Sequence, residues 1–182
     1  SSTSSLYGLK NEPPLVETMP TDCLNQYSAS KRSAEIMCQM YHNLYGLRTI
    51  TLRYFNVYGD RQPLKGQHAP VIGLFLEQAK RGEPLTIVGD GLQRRDFTHV
   101  SDVVQANMDA MMCNFSGIEV NIGTGTNHSV QDIANMISDN QKFIPSREGE
   151  ARDTLAMIYK AAVALNWFPR VKLEDYIASI TK

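Results

Sequence analysis

The sequence predicts an α/β fold in which helices alternate with short buried strands. Three observations carry that reading. A 20-residue stretch from Gln26 to Tyr45 places Ala29, Ala34, Ile36, Met37, Met40, Tyr41 and Leu44 at helical spacing, and Gly46 follows as a C-cap signal. Directly after it, Thr49 to Phe55 is a β-branched and aromatic run of the kind that forms a buried strand. The pairing of helix and strand then recurs along the chain. With 182 residues, 42% hydrophobic and 20% charged, the chain is long enough to bury a core without disulfides or metals.

The remaining elements follow in order. Residues 57 to 69 carry Gly59, Pro63 and Gly66 and read as a long loop. Pro70 to Lys80 returns to helical periodicity, ended by Gly82 and Pro84. Leu85 to Val88 reads as a strand, and Gly89-Asp90-Gly91 as a turn into a second strand near Asp96 to Val100, so that the two form a hairpin-like unit. Ser101 is the expected N-cap of a helix running through Cys113. Glu119 to Ile122 is a strand, Ser129 caps a helix containing Ile133, Ala134 and Ile137, and Gln141 to Asp153 reads as irregular. Helices over 158–165 and 173–180 close the chain.

Composition narrows the function. Eighteen basic and nineteen acidic residues leave a net charge of -1 with no block of like charge, so no nucleic-acid track and no basic membrane surface is expected. A small ligand is the better expectation. Cys23, Cys38 and Cys113 are odd in number, far apart and without a CxxC, which suits buried thiols in a reducing compartment. No apolar stretch is long enough to cross a membrane, and no metal-ligand spacing is present. The cytoplasm is the expected location.

The strongest local signal is Tyr27-Ser28-Ala29-Ser30-Lys31. Residues four apart on a helix share a face, so the Lys31 ammonium can lie near the Tyr27 phenol. A free phenol has a pKa near 10, and a close cation favours its ionised form, which is how a Tyr becomes a general acid/base. By itself the spacing fits an ordinary helix better, with Tyr27 half buried and Lys31 in water.

The pattern is wider than that pair. SSTSSLYG (1 to 8), YSASK (27 to 31), LRYFNVYGDRQ (52 to 62), LTIVGDGLQRRDFTHVSDV (85 to 103), VNIGTGTNHSVQDIA (120 to 134) and SREGEARDTLA (146 to 156) occur in this order. In this the chain resembles the NAD-dependent epimerase/dehydratase family of extended short-chain dehydrogenases/reductases, and most of all its UDP-hexose and UDP-N-acetylhexosamine 4-epimerases. The resemblance implies the C-terminal part of a Rossmann-type parallel sheet, joined to a small mixed α/β region that binds a nucleotide-sugar. It implies a boundary near Asn56: residues 1–56 would belong to the NAD-binding domain with its YxxxK helix, and 57–182 mainly to the substrate region, with 85–134 partly returning to the sheet.

Residue roles follow from the resemblance. Thr3 matches the catalytic Ser/Thr, Tyr27 the catalytic base, and Lys31 its partner, which also binds the nicotinamide ribose. Tyr54 and Val57 fall where the family packs against the nicotinamide. Asn56 and Arg95 match residues that hold the substrate diphosphate, a task suited to the permanently charged guanidinium fork. Thr86 and Val88 lie in the strand that approaches the nucleoside; many members carry a base-stacking aromatic where Val88 stands. Arg147 matches an arginine on the phosphate side. Glu150 stands where the family usually has an Asp that holds the ribose hydroxyls. Thr154 occupies the position that gates the sugar pocket, and its small size points to N-acetylhexosamines or dual use.

The resemblance also separates reactions. Dehydratases carry an Asp-Glu pair, and decarboxylating members a Glu, just after the residue matched by Thr3. Ser4, Ser5 and Leu6 supply no carboxylate, which favours 4-epimerisation through a 4-keto sugar over those alternatives. A glycine-rich dinucleotide turn, expected ahead of Thr3, is not among the 182 residues. From this we expect NAD to belong to a longer protein, and this chain alone to bind none and to be inactive. The non-catalytic alternative is a fragment that binds a UDP-sugar or only oligomerises. The helix over 26–45 is an element through which relatives form homodimers, so Met37, Met40 and Leu44 are either interface or core.

Overall fold

The computed structural model describes residues 1–64, 70–146 and 151–181. A three-stranded parallel sheet forms its centre, built from β1 (Ser2–Thr3), β2 (Ile50–Tyr54) and β7 (Ile118–Ile122) in the order β1-β2-β7. Between β1 and β2 lie a 3-10 turn, Ser4–Tyr7, and helix α1, Gln26–Tyr45. The helix starts on an Asn25/Ser28 capping box and stops at Gly46, whose φ of 67° is the left-handed conformation a C-cap requires.

After β2 come β3 (Val57–Tyr58), α2 (Val71–Lys80), β4 (Leu85–Val88), β5 (Arg94–Arg95), β6 (Thr98–His99) and α3 (Val100–Met112). After β7 follow β8 (His128–Ser129), α4 (Val130–Ile137), β9 (Gln141–Ile144), α5 (Tyr159–Leu165) and α6 (Leu173–Ile180).

Side-chain alternation divides the central sheet into two unlike faces. Leu52, Val120 and Ile122 point to one side and pack with Val103 and Ala106 of α3, with Ala161 and Leu165 of α5, and with Trp167. On the other side the register aligns Ser2, Arg53 and Asn121 across the three strands, a polar row. Helix α1 rests on that row, and its buried residues are Ser28 and Glu35. This is why its apolar positions face outward: Met37, Met40 and Leu44 are all exposed. A separate core joins Leu85 and Ile87 of β4 to Ile72 and Phe75 of α2, Ile133 of α4, and Leu173 and Ile177 of α6.

Several expectations are corrected. Strand β4 forms no hairpin with the segment after Gly91; it pairs in parallel with β9, a strand inside the stretch expected to be irregular. Its neighbours in sequence also find distant partners, β5 antiparallel to β8 and β6 parallel to β3. The cap of α3 is His99, whose ring accepts from the Ser101 N–H, so the helix begins before Ser101. The thiols are not buried: Cys23 is exposed, and Cys38 and Cys113 are half-buried. No helix among the described residues is long and apolar enough to cross a membrane.

Candidate functional site

Thr3 ends β1 and caps the 3-10 turn. Its Oγ1 accepts from the Ser5 N–H at 3.2 Å and donates to Ser5 Oγ at 3.2 Å. Tyr27 lies in the first turn of α1 with its ring about half exposed, and Lys31 Nζ sits 5.9 Å from the ring centroid. The ammonium also donates to the Ser1 carbonyl at 3.2 Å and to Ser1 Oγ at 3.4 Å. Lys31 therefore joins the start of α1 to the segment that carries Thr3. Tyr27 and Lys31 thus lie side by side on the solvent-facing start of α1.

Asn56, Arg95 and Thr154 converge on one cavity of about 190 Å³, whose wall also includes Ser4, Ser5 and Asn25. Asn56 Nδ2 donates to the Asp96 carbonyl at 3.2 Å, and Arg95 Nη1 to the Arg94 carbonyl at 2.8 Å. Thr154 Oγ1 is buried with no hydrogen-bond partner among the described residues. The wall is held by Asp96, fully buried, whose carboxylate accepts from Thr124 N (2.7 Å), Thr124 Oγ1 (2.8 Å), Gly125 N (3.0 Å) and Ala156 N (3.1 Å). Burial pushes its pKa up and outweighs the N–H donors that oppose the shift. An Arg95–Asp96 surface ion pair is thus ruled out, because the carboxylate is spent on backbone donors.

A second cavity, about 460 Å³, adjoins the first through Ala151. Val88, Gln93 and Ile144 line it, with Asp90 and Arg152 across from one another. Those two form a bidentate pair at 2.8 and 2.7 Å, and the Arg152 hydrogen bonds hold the Asp90 carboxyl down to about 2. Thr86 lies outside both linings, because its N–H and hydroxyl are bonded to the Gln78 side chain at 3.0 and 2.8 Å. Tyr54 donates to Asn107 Oδ1 at 3.0 Å and packs, like Val57, against the core beside α3. Arg147 and Glu150 lie outside the described residues.

Asp96 and the Asp90–Arg152 pair were missed from sequence. Asp96 looked like a charged neighbour of Arg95, and nothing marks its burial. Asp90 and Arg152 are 62 residues apart, and no local spacing joins them. Ser5 and Asn25 carried a usable signal: each is a small polar residue two positions from a matched site residue, and Asn25 caps α1.

The fold has close counterparts. A model of the NAD dependent epimerase/dehydratase family matches residues 1–123. UDP-glucose 4-epimerase of Mycolicibacterium smegmatis is 35% identical over 98% of this chain and 58% of its own length. UDP-N-acetylglucosamine 4-epimerase from Methanobrevibacter ruminantium, solved with UDP-N-acetylmuramic acid, superposes with a TM-score of 0.94 at 30% identity, over 99% of this chain and 60% of that one. UDP-glucuronic acid 4-epimerase from Bacillus cereus, solved with UDP-glucuronic acid and NAD, gives 0.88 at 34% identity, over 99% and 58%. The chain thus spans about three-fifths of the length of the relatives it matches.

Proposed function

The chain belongs to the NAD-dependent epimerase/dehydratase family, and we propose that the protein it represents is a UDP-sugar 4-epimerase working through a 4-keto intermediate. The observation that carries this is the junction at Lys31, whose ammonium lies 5.9 Å from the Tyr27 ring centroid and bonds the Thr3-bearing segment, with no carboxylate at positions 4 to 6. An elimination or a decarboxylation would need a further acid/base there.

The residues present fit a nicotinamide nucleotide: Lys31 offers a cation beside a half-exposed phenol, and Tyr54 stands level with Thr3 in the register of the sheet. Tyr27, Lys31, Tyr54 and Val57 would hold its nicotinamide end. When bound, it supplies a hydride acceptor that is also the donor for the return step. The chain's own residues do the rest. Tyr27 takes the proton of the sugar 4-OH as the C4–H bond breaks, and Lys31 stabilises the phenolate. Thr3 donates to the sugar oxygen, releasing its bond to Ser5. Arg95 and Asn56, with Arg147, grip the diphosphate, so the hexose can turn and present the other face of C4. The proton then returns from Tyr27 to the oxygen of the epimer. Val88 and Glu150 would meet the nucleoside.

Thr154 supports N-acetylhexosamine or dual substrates, since its small side chain and unpartnered hydroxyl leave room and a donor for a substituent. The exposed strip of Ile36, Met37, Met40 and Leu44 supports a homodimer through α1. Mass spectrometry and NMR of products from UDP-glucose and UDP-N-acetylglucosamine test the reading. A 4-epimer of unchanged mass is expected; loss of water or carbon dioxide would overturn it in favour of a dehydratase or decarboxylase.

A further inference from the structure

We infer that Glu35, acting through Arg53, is a positioning residue: the buried chain Glu35–Arg53–Tyr7–Asn121 sets the rotation of α1 about its axis, and with it the reach of Tyr27 and Lys31 toward Thr3. This rests on the proposed roles of those three residues. The chain of contacts is continuous. Arg53 places Nε at 2.9 Å from Glu35 Oε1 and Nη2 at 2.9 Å from Oε2, a full fork. Its Nη1 donates to the Tyr7 hydroxyl at 3.0 Å, which donates to Asn121 Oδ1 at 2.7 Å. Asn121 Nδ2 donates to the Leu15 carbonyl at 2.8 Å, and Glu17 Oε1 accepts from the Asn121 N–H at 2.8 Å. Every residue of this chain, Glu35, Arg53, Tyr7 and Asn121, is at most 2% exposed.

The residues that α1 buries against the rest of the chain are polar, Ser28 and Glu35. A helix held by leucines can slide or roll over its neighbours with small loss. A bidentate ion pair cannot, since both bonds weaken within a few tenths of an ångström and degrees of misalignment. Tyr27, Lys31 and Glu35 follow one another at intervals of four, along one stripe of the helix. At the far end, Tyr7 lines the cavity of Asn56 and Arg95 and belongs to the turn capped by Thr3. The network therefore links both halves of the proposed chemistry. For an atom about 8 Å from the helix axis, a roll of about 10° is a shift of about 1.4 Å, and misplacement on that scale costs about 100-fold in rate.

The test is the double variant Glu35→Leu/Arg53→Met beside Tyr7→Phe, in the whole protein. Removing both charges together orphans neither, so the double variant is expected to unfold within about 5 °C of wild type. We expect kcat to fall about 100-fold in the double variant and about tenfold in Tyr7→Phe, with KM for the UDP-sugar within about threefold. Wild-type kcat in Tyr7→Phe and the double variant, or a rise in KM with kcat unchanged, would overturn the inference. Should the double variant fail to fold, Tyr7→Phe decides by the same criteria. NMR provides a reading that needs no turnover: the Thr3 methyl and Tyr27 ring signals should both move in the variants, and unmoved signals overturn the inference. A wild-type protein without epimerase activity would instead strike the proposed function, leaving the network to be judged by NMR.

Discussion

Replacing Asp96 by Asn separates a structural carboxylate from a surface charge. The native side chain is fully buried and accepts three backbone N–H groups, from Thr124, Gly125 and Ala156, plus the Thr124 hydroxyl. An amide keeps one acceptor oxygen and turns an NH2 toward donors, so about two backbone N–H groups lose their partner at about 1–3 kcal/mol each. Against that stands the burial cost of the native carboxylate, expressed in its raised pKa. Relief of that cost offsets part of the loss, giving a net destabilisation of about 2–4 kcal/mol near neutral pH. Urea unfolding monitored by Trp167 fluorescence would register it as a lower midpoint with unchanged slope. The sign with pH is also fixed. A carboxyl whose folded pKa is raised contributes stability that is present below its unfolded value and lost as pH rises through the folded one. Wild-type stability should therefore fall relative to the non-titrating Asn variant as pH rises from ~4, where the unfolded carboxyl ionises, through the raised folded pKa, so the cost of Asp96→Asn is larger in acid than at neutral pH. A cost under about 0.5 kcal/mol at neutral pH would refute the reasoning, since that is the range of an ordinary surface substitution.

Four further outcomes are expected. Tyr27→Phe should lower kcat by at least about 100-fold while UDP-sugar affinity by calorimetry stays within about threefold, because only the proton carrier is lost. Glu35→Gln should cost about 3–5 kcal/mol at pH 7, as it strands the buried Arg53 charge. Burial alone would raise the Glu35 pKa, but hydrogen bonds from Arg53 and Arg32 lower it overall, so its stabilisation is lost as pH falls through the folded pKa. Denaturant midpoints should accordingly converge with those of wild type in acid. Arg152→Ala should weaken UDP binding several-fold in titration calorimetry, because it opens one wall of the larger cavity; unchanged affinity would remove that cavity from the substrate path. Met40→Lys should convert the proposed dimer to a monomer in sedimentation velocity, by placing a charge in the exposed strip of α1.

The elements that were legible are those whose signal is local. Helix α1 carries its period and its Gly46 stop within one segment, and the structure begins and ends it at the expected residues. Strand β9 was hidden because the burial of Gln141–Ile144 gives no apolar alternation, and its partner lies in β4, far back in the chain. The Gly89-Asp90-Gly91 turn is real in its left-handed glycines, yet the strands on either side pair elsewhere. At the site, Tyr27 and Lys31 could be read from helical spacing, whereas the second cavity needed tertiary structure to bring Asp90 to Arg152. Glu35 shows the converse. No local pattern marks it as buried, and only the polar row Ser2-Arg53-Asn121 under α1 explains why it lies inside while the methionines of α1 face outward.

The most direct measurement follows a deuterium placed on C4 of a UDP-hexose through turnover by the whole protein with NAD. The account predicts the 4-epimer with the label still on C4, and no turnover in Tyr27→Phe. Label lost to solvent or found on another carbon would contradict it, as would the absence of any turnover with Thr3, Tyr27 and Lys31 intact.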